Sequence, residues 1–375
     1  MVSDGALRSY AEIDLGQIEI NYLAYKKSLP ESFEIIAVVK ADAYGHGAVA
    51  VAKRLSTLGV DAFAVATVNE GIALRENGIA GEILILGYSA PECAEEVSRY
   101  GLTQTLVDES HAREIAMATD KRLKVQFAID TGMKRIGLDS QSPYDCERAI
   151  RCAAERFELN GIFTHLAAAD SGAGAEFTRG QIQRFASVVG RLSDLDLPYV
   201  HCLNTAGGIA YSSLPDGIGK FVRLGIALYG IAPSSEVPLP LGIRPALSWY
   251  ATVSSVRAVK KGESVGYGFG YVAERDGIIA TISVGYADGY SRMASDRAYV
   301  LIGGRAAPVV GRVCMDQMTV DVSGHRDVRP GDRVVLIGAD GELEITAERL
   351  GETMGTIGYE VVCGISSRVE RKYIN

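Results

Sequence analysis

The sequence is short of several things, and each shortage removes a class of function. Its 375 residues carry a formal net charge of −8, without the basic excess that nucleic acid or an anionic membrane surface calls for. No apolar run is long enough to span a bilayer. The opening stretch MVSDGALRSYAEIDL has no basic segment followed by an apolar one, so no signal peptide is expected and the chain reads as cytoplasmic. The six cysteines (93, 146, 152, 202, 314 and 363) lie mostly in apolar contexts, include no C-x-x-C pair and read as reduced core thiols. The five histidines form no ligand-spaced cluster, so no metal is implied. What remains, 47% apolar and 22% charged, is the composition of a globular protein large enough for two domains.

Eight short apolar runs alternate with stretches long enough for a helix: 34–40, 63–67, 82–87, 103–108, 124–130, 159–165, 199–205 and 221–230. That count is the count of a (β/α)8 barrel. A doubly wound sheet would need a Gly-rich first turn of the dinucleotide type, which is absent. Three prolines (233, 238 and 240) mark a linker near 232–241. Beyond it, runs such as ALSWYATVSSVRAV and RVVLIG are divided by turn signals, and one helix pattern appears at 345–355. The expected organisation is a barrel over residues 1–240 and a mostly-β domain over 241–375, with the first 15 or so residues able to pair with the second domain.

Lys40 ends the apolar run EIIAVVK and opens KADAYGHG. Alone, it reads as a strand-end lysine snorkelling to solvent. Its flanks change that: Val38 and Val39 precede it, and Val51, Leu55 and Leu58 follow at helical spacing. The lysine therefore sits on the loop side of a strand–loop–helix unit, where β/α folds carry their chemistry. Partial desolvation there would lower its pKa and suit it to a Schiff base, as in a pyridoxal-phosphate enzyme. Tyr44 is close enough in sequence to reach the same site.

Other strand ends carry Asp130 with Arg135, His165, Asn204 with Thr205, and Arg223. Asp130 by itself reads as a turn residue and helix cap, Arg135 as a solvated helix residue, and His165 as a satisfied core histidine. Thr205 reads as the N-cap of a helix beginning AGGIAY, which is itself an anion site. Arg223 is hardest to dismiss, because a charge inside FVRLGIALYG is costly unless paired. The loops after the seventh and eighth strands, with Thr205, Gly225 and Ile226, are a common phosphate location in barrels. Closure of the barrel brings them beside Lys40.

KADAYGHG (40–47), DTGMKRIG (130–137), THLAAAD (164–170), NTAG (204–207), VRLGIALYG (222–230), VGYG (265–268), VGYADG (284–289) and VGRVCMDQM (310–318) together resemble the alanine racemase family. The resemblance implies a homodimer whose active sites join the barrel of one subunit to the C-terminal domain of the other. It implies pyridoxal 5'-phosphate bound to Lys40, and a small amino-acid substrate racemised between two bases, Lys40 and Tyr267. His165, Asn204 and Arg223 would belong to the cofactor's surroundings, Arg223 facing the pyridine nitrogen. Tyr44, Thr205, Gly225 and Ile226 would hold the phosphate. Arg135 and Met315 would bind the substrate carboxylate. Tyr286, Asp288 and Arg312 would line the channel into the site, with Ile365 at its border. D-Alanine for peptidoglycan would be the product.

Two positions depart from the family pattern. Ala128 stands where a carbamylated lysine often orients the arginine, and Ser367 replaces a tyrosine that contacts the phosphate and narrows the pocket. Ser367 raises a serine or broad-specificity racemase as the alternative. A non-catalytic cofactor-homeostasis barrel would usually lack residues 241–375. A decarboxylase of related architecture would be expected to place a carboxylate, not Arg223, at the pyridine nitrogen.

Overall fold

The computed structural model describes residues 8–213 and 218–375; residues 1–7, within the N-terminal stretch considered above, lie outside the described residues. The chain divides into two compact units, one of 18–43 and 48–244, the other of 8–17, 44–47 and 245–375.

The first unit is a parallel barrel. Its eight strands are Glu34–Val38, Ala62–Val65, Glu82–Ile85, Thr103–Leu106, Lys124–Asp130, Glu158–Phe163, Tyr199–His201 and Phe221–Leu224. Each corresponds to one of the eight apolar runs. Neighbours pair in chain order, the eighth pairs with the first (Arg223 opposite Ile36), and a bridge between Leu203 and Val222 closes the ring. Both faces of such a strand are covered, which is why AFAV at 62–65 is buried at every position. Helices fill the connections. Ala48–Thr57, after Gly47, buries Val51, Ala52 and Leu55. The last apolar run splits: strand pairing ends at Leu224, and Ile226–Tyr229 coil into a 3-10 turn.

The barrel interior is partly polar. His201 on the seventh strand bonds Gln126 on the fifth, and these two strands are not neighbours. The contact must therefore cross the lumen. Arg223, on the eighth strand, joins the same chain through His201.

The second unit is built on the 13-residue strand Leu247–Val259. Ser9–Asp14, Gly277–Ile282 and Arg333–Asp340 all pair with it antiparallel. Glu370–Ile374 joins Ser9–Asp14 in parallel. Trp249, Val300, Leu301, Val334 and Leu336 are fully buried here, each such aliphatic side chain contributing roughly 1.5–3 kcal/mol. The Trp249 indole donates to Ser9 Oγ at 2.8 Å, so its one polar atom is satisfied. The helix pattern at 345–355 is the helix Ala347–Met354, capped by Thr346. Among the described residues no helix is long and apolar enough to cross a membrane.

The cysteines correct one expectation. Only Cys146 and Cys202 are buried, and Cys152 and Cys363 are exposed. Apolar neighbours in sequence did not settle which face of an element each thiol occupies.

Candidate active site

Lys40 lies just past the end of the first barrel strand and is half-buried. The four residues after it, Ala41, Asp42, Ala43 and Tyr44, all take left-handed helical backbone with φ between 51° and 54°. Consecutive non-glycine residues there cost roughly 1–2 kcal/mol each, so the surroundings must hold the turn in place. Ala43 N–H donates to Val39 O at 2.9 Å, and Asp42 Oδ1 accepts from Ala48 N–H at 2.7 Å. The glycines of KADAYGHG extend the positive-φ stretch. A Cβ on Gly45 (φ 81°) would lie 2.3 Å from Val362 O, and one on Gly47 (φ 93°) 1.9 Å from the Tyr373 hydroxyl. Tyr44 is buried with its ring 6.2 Å from that of Tyr359, and burial pushes its phenol well above the usual range.

Arg223 is the electrostatic centre of the barrel. It is 3% exposed, and no carboxylate is among its hydrogen-bond partners. Nη1 donates to His201 Nδ1 at 2.6 Å, and Nη2 to Thr164 O at 2.7 Å, to His165 Nδ1 at 3.3 Å and to Cys202 O at 3.3 Å. Its guanidinium stands 5.5 Å above the Phe163 ring. Nε donates to nothing among the described residues. Burial draws its pKa down to about 10, which leaves it protonated at neutral pH. Carbonyl and imidazole dipoles thus replace the missing counter-charge.

An arginine has only donors, so each histidine it touches must accept. His201 therefore carries its proton on Nε2 and donates it to Gln126 Oε1 at 2.8 Å. Its ring is fully buried and stacks on Phe163 with centroids 5.2 Å apart. Burial first, then the Arg223 charge, holds it well below the ordinary histidine pKa. His165 is pushed down likewise, by burial and then by Arg223, Arg135 and Lys40. It too is neutral, with Nε2–H left to donate.

Asn204, not Thr205, is the N-cap of the helix Thr205–Ala210. Its Oδ1 accepts from Gly207 N–H at 2.8 Å and its amide donates to Leu166 O at 3.1 Å. Thr205 is the first helical residue, because the chain turns one residue earlier than the pattern AGGIAY implies. Its Oγ1 accepts from Gly225 N–H at 2.9 Å, which ties the loops after the seventh and eighth strands together. Ile226 opens its 3-10 turn, so its N–H has no acceptor within that turn. Thr205, Gly225 and Ile226 thus gather at one end of the barrel.

Asp130 organises a turn, accepting from Gly132 N–H at 2.8 Å and Lys134 N–H at 3.0 Å, but no helix follows it. Arg135 is exposed and has no hydrogen-bond or ion-pair partner among the described residues. Ala128 is buried opposite Phe163 and offers it nothing.

The remaining candidates lie in the second unit. Tyr267 sits on a 3-10 turn between Gly266 and Gly268, 71% exposed, with Phe269 beside it 79% exposed. The Arg312 guanidinium packs along this turn, against Gly268. Tyr286 N–H donates to Cys314 O and Ala287 N–H to Met315 O, both at 3.0 Å, so the segments 284–289 and 314–315 are joined. Ser367 is exposed and unbonded among the described residues. Asp288 is not a channel residue. It is 1% exposed, pairs with Arg8 at 2.9 Å and accepts from Gly285 N–H, which makes it a structural carboxylate. Ile365 is also buried.

The family model "Alanine racemase, N-terminal domain" matches residues 13–233, and "Alanine racemase, C-terminal domain" matches residues 246–373. This chain belongs to the alanine racemase family. It is 42% identical to the alanine racemase of Carboxydothermus hydrogenoformans, over 97% of this chain and 99% of that one. The family's fold is shared in full. The alanine racemase of Clostridium difficile 630 superposes with a TM-score of 0.91 at 37% identity, covering 98% of this chain and 96% of that one. That of Bartonella henselae, solved with covalently bound pyridoxal phosphate, superposes with a TM-score of 0.86 at 29% identity, covering 98% of this chain and all of the other.

Three residues of the site's surroundings escaped the sequence reading. His201 and Gln126 lie within apolar runs, where a polar residue at an inward position is the available signal. Glu70 completes the motif Thr67-x-x-Glu70, a capping box visible in the sequence.

Proposed function

We propose that the chain is a pyridoxal 5'-phosphate-dependent racemase that interconverts L- and D-alanine, acting as a cytoplasmic homodimer that supplies D-alanine for peptidoglycan. The observation that carries this reading is the placement of Lys40, just past the end of the first barrel strand, next to the eighth strand that carries Arg223, in a chain that resembles alanine racemases over nearly its whole length.

The residues fit the cofactor. Arg223 keeps Nε–H available although its other nitrogens are engaged. Arg223, itself always a donor, would hold the cofactor's pyridine nitrogen and leave it unprotonated, which would moderate electron withdrawal and disfavour side reactions. Thr205 Oγ1 has accepted one hydrogen bond and still has its proton to give, and the Ile226 N–H is free of its own turn. Together they make a donor set for a phosphate that needs no lysine, to which the family resemblance adds Tyr44, whose buried phenol stays neutral. When bound, the cofactor withdraws electrons from the substrate and acidifies its Cα–H.

Lys40 holds the cofactor and moves a proton on one face of Cα. Tyr267 of the partner subunit does so on the opposite face. Its extreme exposure within one chain, next to Phe269, suits a side chain completed by a second copy. A phenol, with a reference pKa of about 10, needs donors and positive charge around it to act as a base near neutrality. Neutral His165, polarised by Arg223 at Nδ1 and donating from Nε2, supplies the donor. Arg135 and the Met315 N–H take the substrate carboxylate, with Asn204 setting the helix behind the phosphate and Tyr286 bordering the channel.

Ser367 supports a second reading, a wider pocket that also admits serine. Racemisation of alanine and serine by the cofactor-saturated protein, followed with a D-amino-acid oxidase assay, tests both. Fast alanine turnover that Lys40→Ala abolishes is expected. Substantial turnover by Lys40→Ala without added amine would remove Lys40 from its role. A higher kcat/KM for serine than for alanine would favour the second reading.

A further inference from the structure

We infer that Glu70 is a positioning residue for Lys40, an inference that rests on the function proposed above. Glu70 occupies the third position of the helix Val68–Glu76, whose N-cap is Thr67. One carboxylate oxygen, Oε2, stays at that helix's own N-terminus, accepting from Thr67 N–H at 3.2 Å in the capping box and from the preceding Ala66 N–H at 2.7 Å. Thr67 Oγ1 completes the box by accepting from Glu70 N–H at 3.3 Å. The other oxygen, Oε1, leaves the helix and accepts from Ala41 N–H at 2.7 Å. A capping box has no use for that last bond.

Its place in the chain gives it meaning. The ladder between the first two strands ends where Val39 N–H donates to Ala64 O at 2.9 Å. Two residues later, Ala41 N–H is held by Glu70. Lys40 therefore lies between two anchors, both on the second strand and the loop after it. Immediately beyond it begins the left-handed run Ala41–Tyr44, a conformation that reverts unless its ends are fixed. Glu70 pins the first residue of that run, and Asp42, through Ala48 N–H, ties it to the following helix. The side-chain direction of Lys40 depends on this backbone. A carboxylate is required because two separate donor groups must each meet an oxygen, and a charged acceptor makes the stronger bond.

The two roles of Glu70 separate by substitution. Glu70→Gln offers one oxygen. Satisfying Ala66 and Thr67 turns its amide NH2 toward the Ala41 N–H, donor against donor, so the helix cap survives and the pin is lost. Thr67→Ala weakens the cap and leaves the pin. Hydrogen–deuterium exchange by mass spectrometry on the cofactor-bound protein should show peptide 40–47 exchanging roughly tenfold faster or more in Glu70→Gln, and unchanged in Thr67→Ala despite a lower Tm. Glu70→Asp, which keeps the charge but shortens the reach, should loosen the same peptide. The kcat of Glu70→Gln should fall about tenfold with a smaller change in KM. Exchange at 40–47 that stays at the unaltered rate in Glu70→Gln, or that rises equally in Thr67→Ala, would overturn the inference. Exchange is read without reference to turnover. If the unaltered protein racemises nothing, the proposed function fails alone, and the exchange comparison still judges the pin.

Discussion

Arg223 and its two histidines show how a buried cation can be kept without an anion. Lys40 and Arg223 were legible in the sequence because each is a charge in an apolar run, an arrangement that folding tolerates only for a reason. His201 and Gln126 were not, since a neutral polar residue in a strand announces neither its face nor its partner. Their arrangement has a consequence for pH. His201 is neutral when folded, held well below its ordinary value of 6.5 by burial and then by Arg223. Once unfolded, it takes up a proton as the pH drops through 6.5. Stability is therefore full above that pH and declines below it, by up to about 1.4 kcal/mol per pH unit for this one group. Urea unfolding of the cofactor-saturated protein between about pH 7 and about pH 5 should show the decline. His201→Asn, which still accepts from Arg223 but cannot titrate, should be less stable at neutral pH by about 1–3 kcal/mol and should have a shallower acid slope. An unchanged slope would mean that His201 titrates normally in the folded protein.

At the scale of elements, the barrel strands could be read because parallel strands covered on both faces are continuous apolar runs. Finer features could not. The N-cap fell on Asn204 instead of Thr205, since both residue types cap well and only the carbonyl geometry decides between them. The left-handed turn after Lys40 was invisible for a stronger reason: Ala41, Ala43 and Tyr44 have no preference for that backbone, and tertiary bonds impose it. The turn makes Ala43 a sensitive position, being fully buried at φ 54°. Ala43→Val adds a β-branch where left-handed backbone is least tolerated and volume where none is free, and should cost about 2–4 kcal/mol. Ala43→Gly, which relieves the backbone but loosens the unfolded chain, should stay within about 1 kcal/mol of the parent. Denaturant midpoints of the three proteins measure this. A valine as well tolerated as glycine would show that residue 43 is not left-handed in solution.

For the whole molecule, the question is what covers the aromatic residues that one chain leaves in water. Tyr267 and Phe269 are more than two-thirds exposed, on a turn in which Gly266 and Gly268, on either side of Tyr267, take positive φ. The family motif VGYG singles out Tyr267, but no local pattern tells whether a second copy of the chain covers it. Nor could it show that Tyr44–Gly47, so near Lys40 in sequence, group with the second unit. The proposed twofold homodimer would have two equivalent sites, each with Lys40 from one subunit and Tyr267 from the other. Two inactive variants should then repair each other. Lys40→Ala and Tyr267→Phe, each close to inactive alone, are dissociated, mixed in equal amounts and reassociated. Random pairing makes about half of the dimers mixed, and each mixed dimer has one intact site and one doubly altered site, so about one quarter of the parent activity should return. If Lys40 and Tyr267 served the same site from within one chain, every site in the mixture would still lack one of them, and no activity would appear at any mixing ratio.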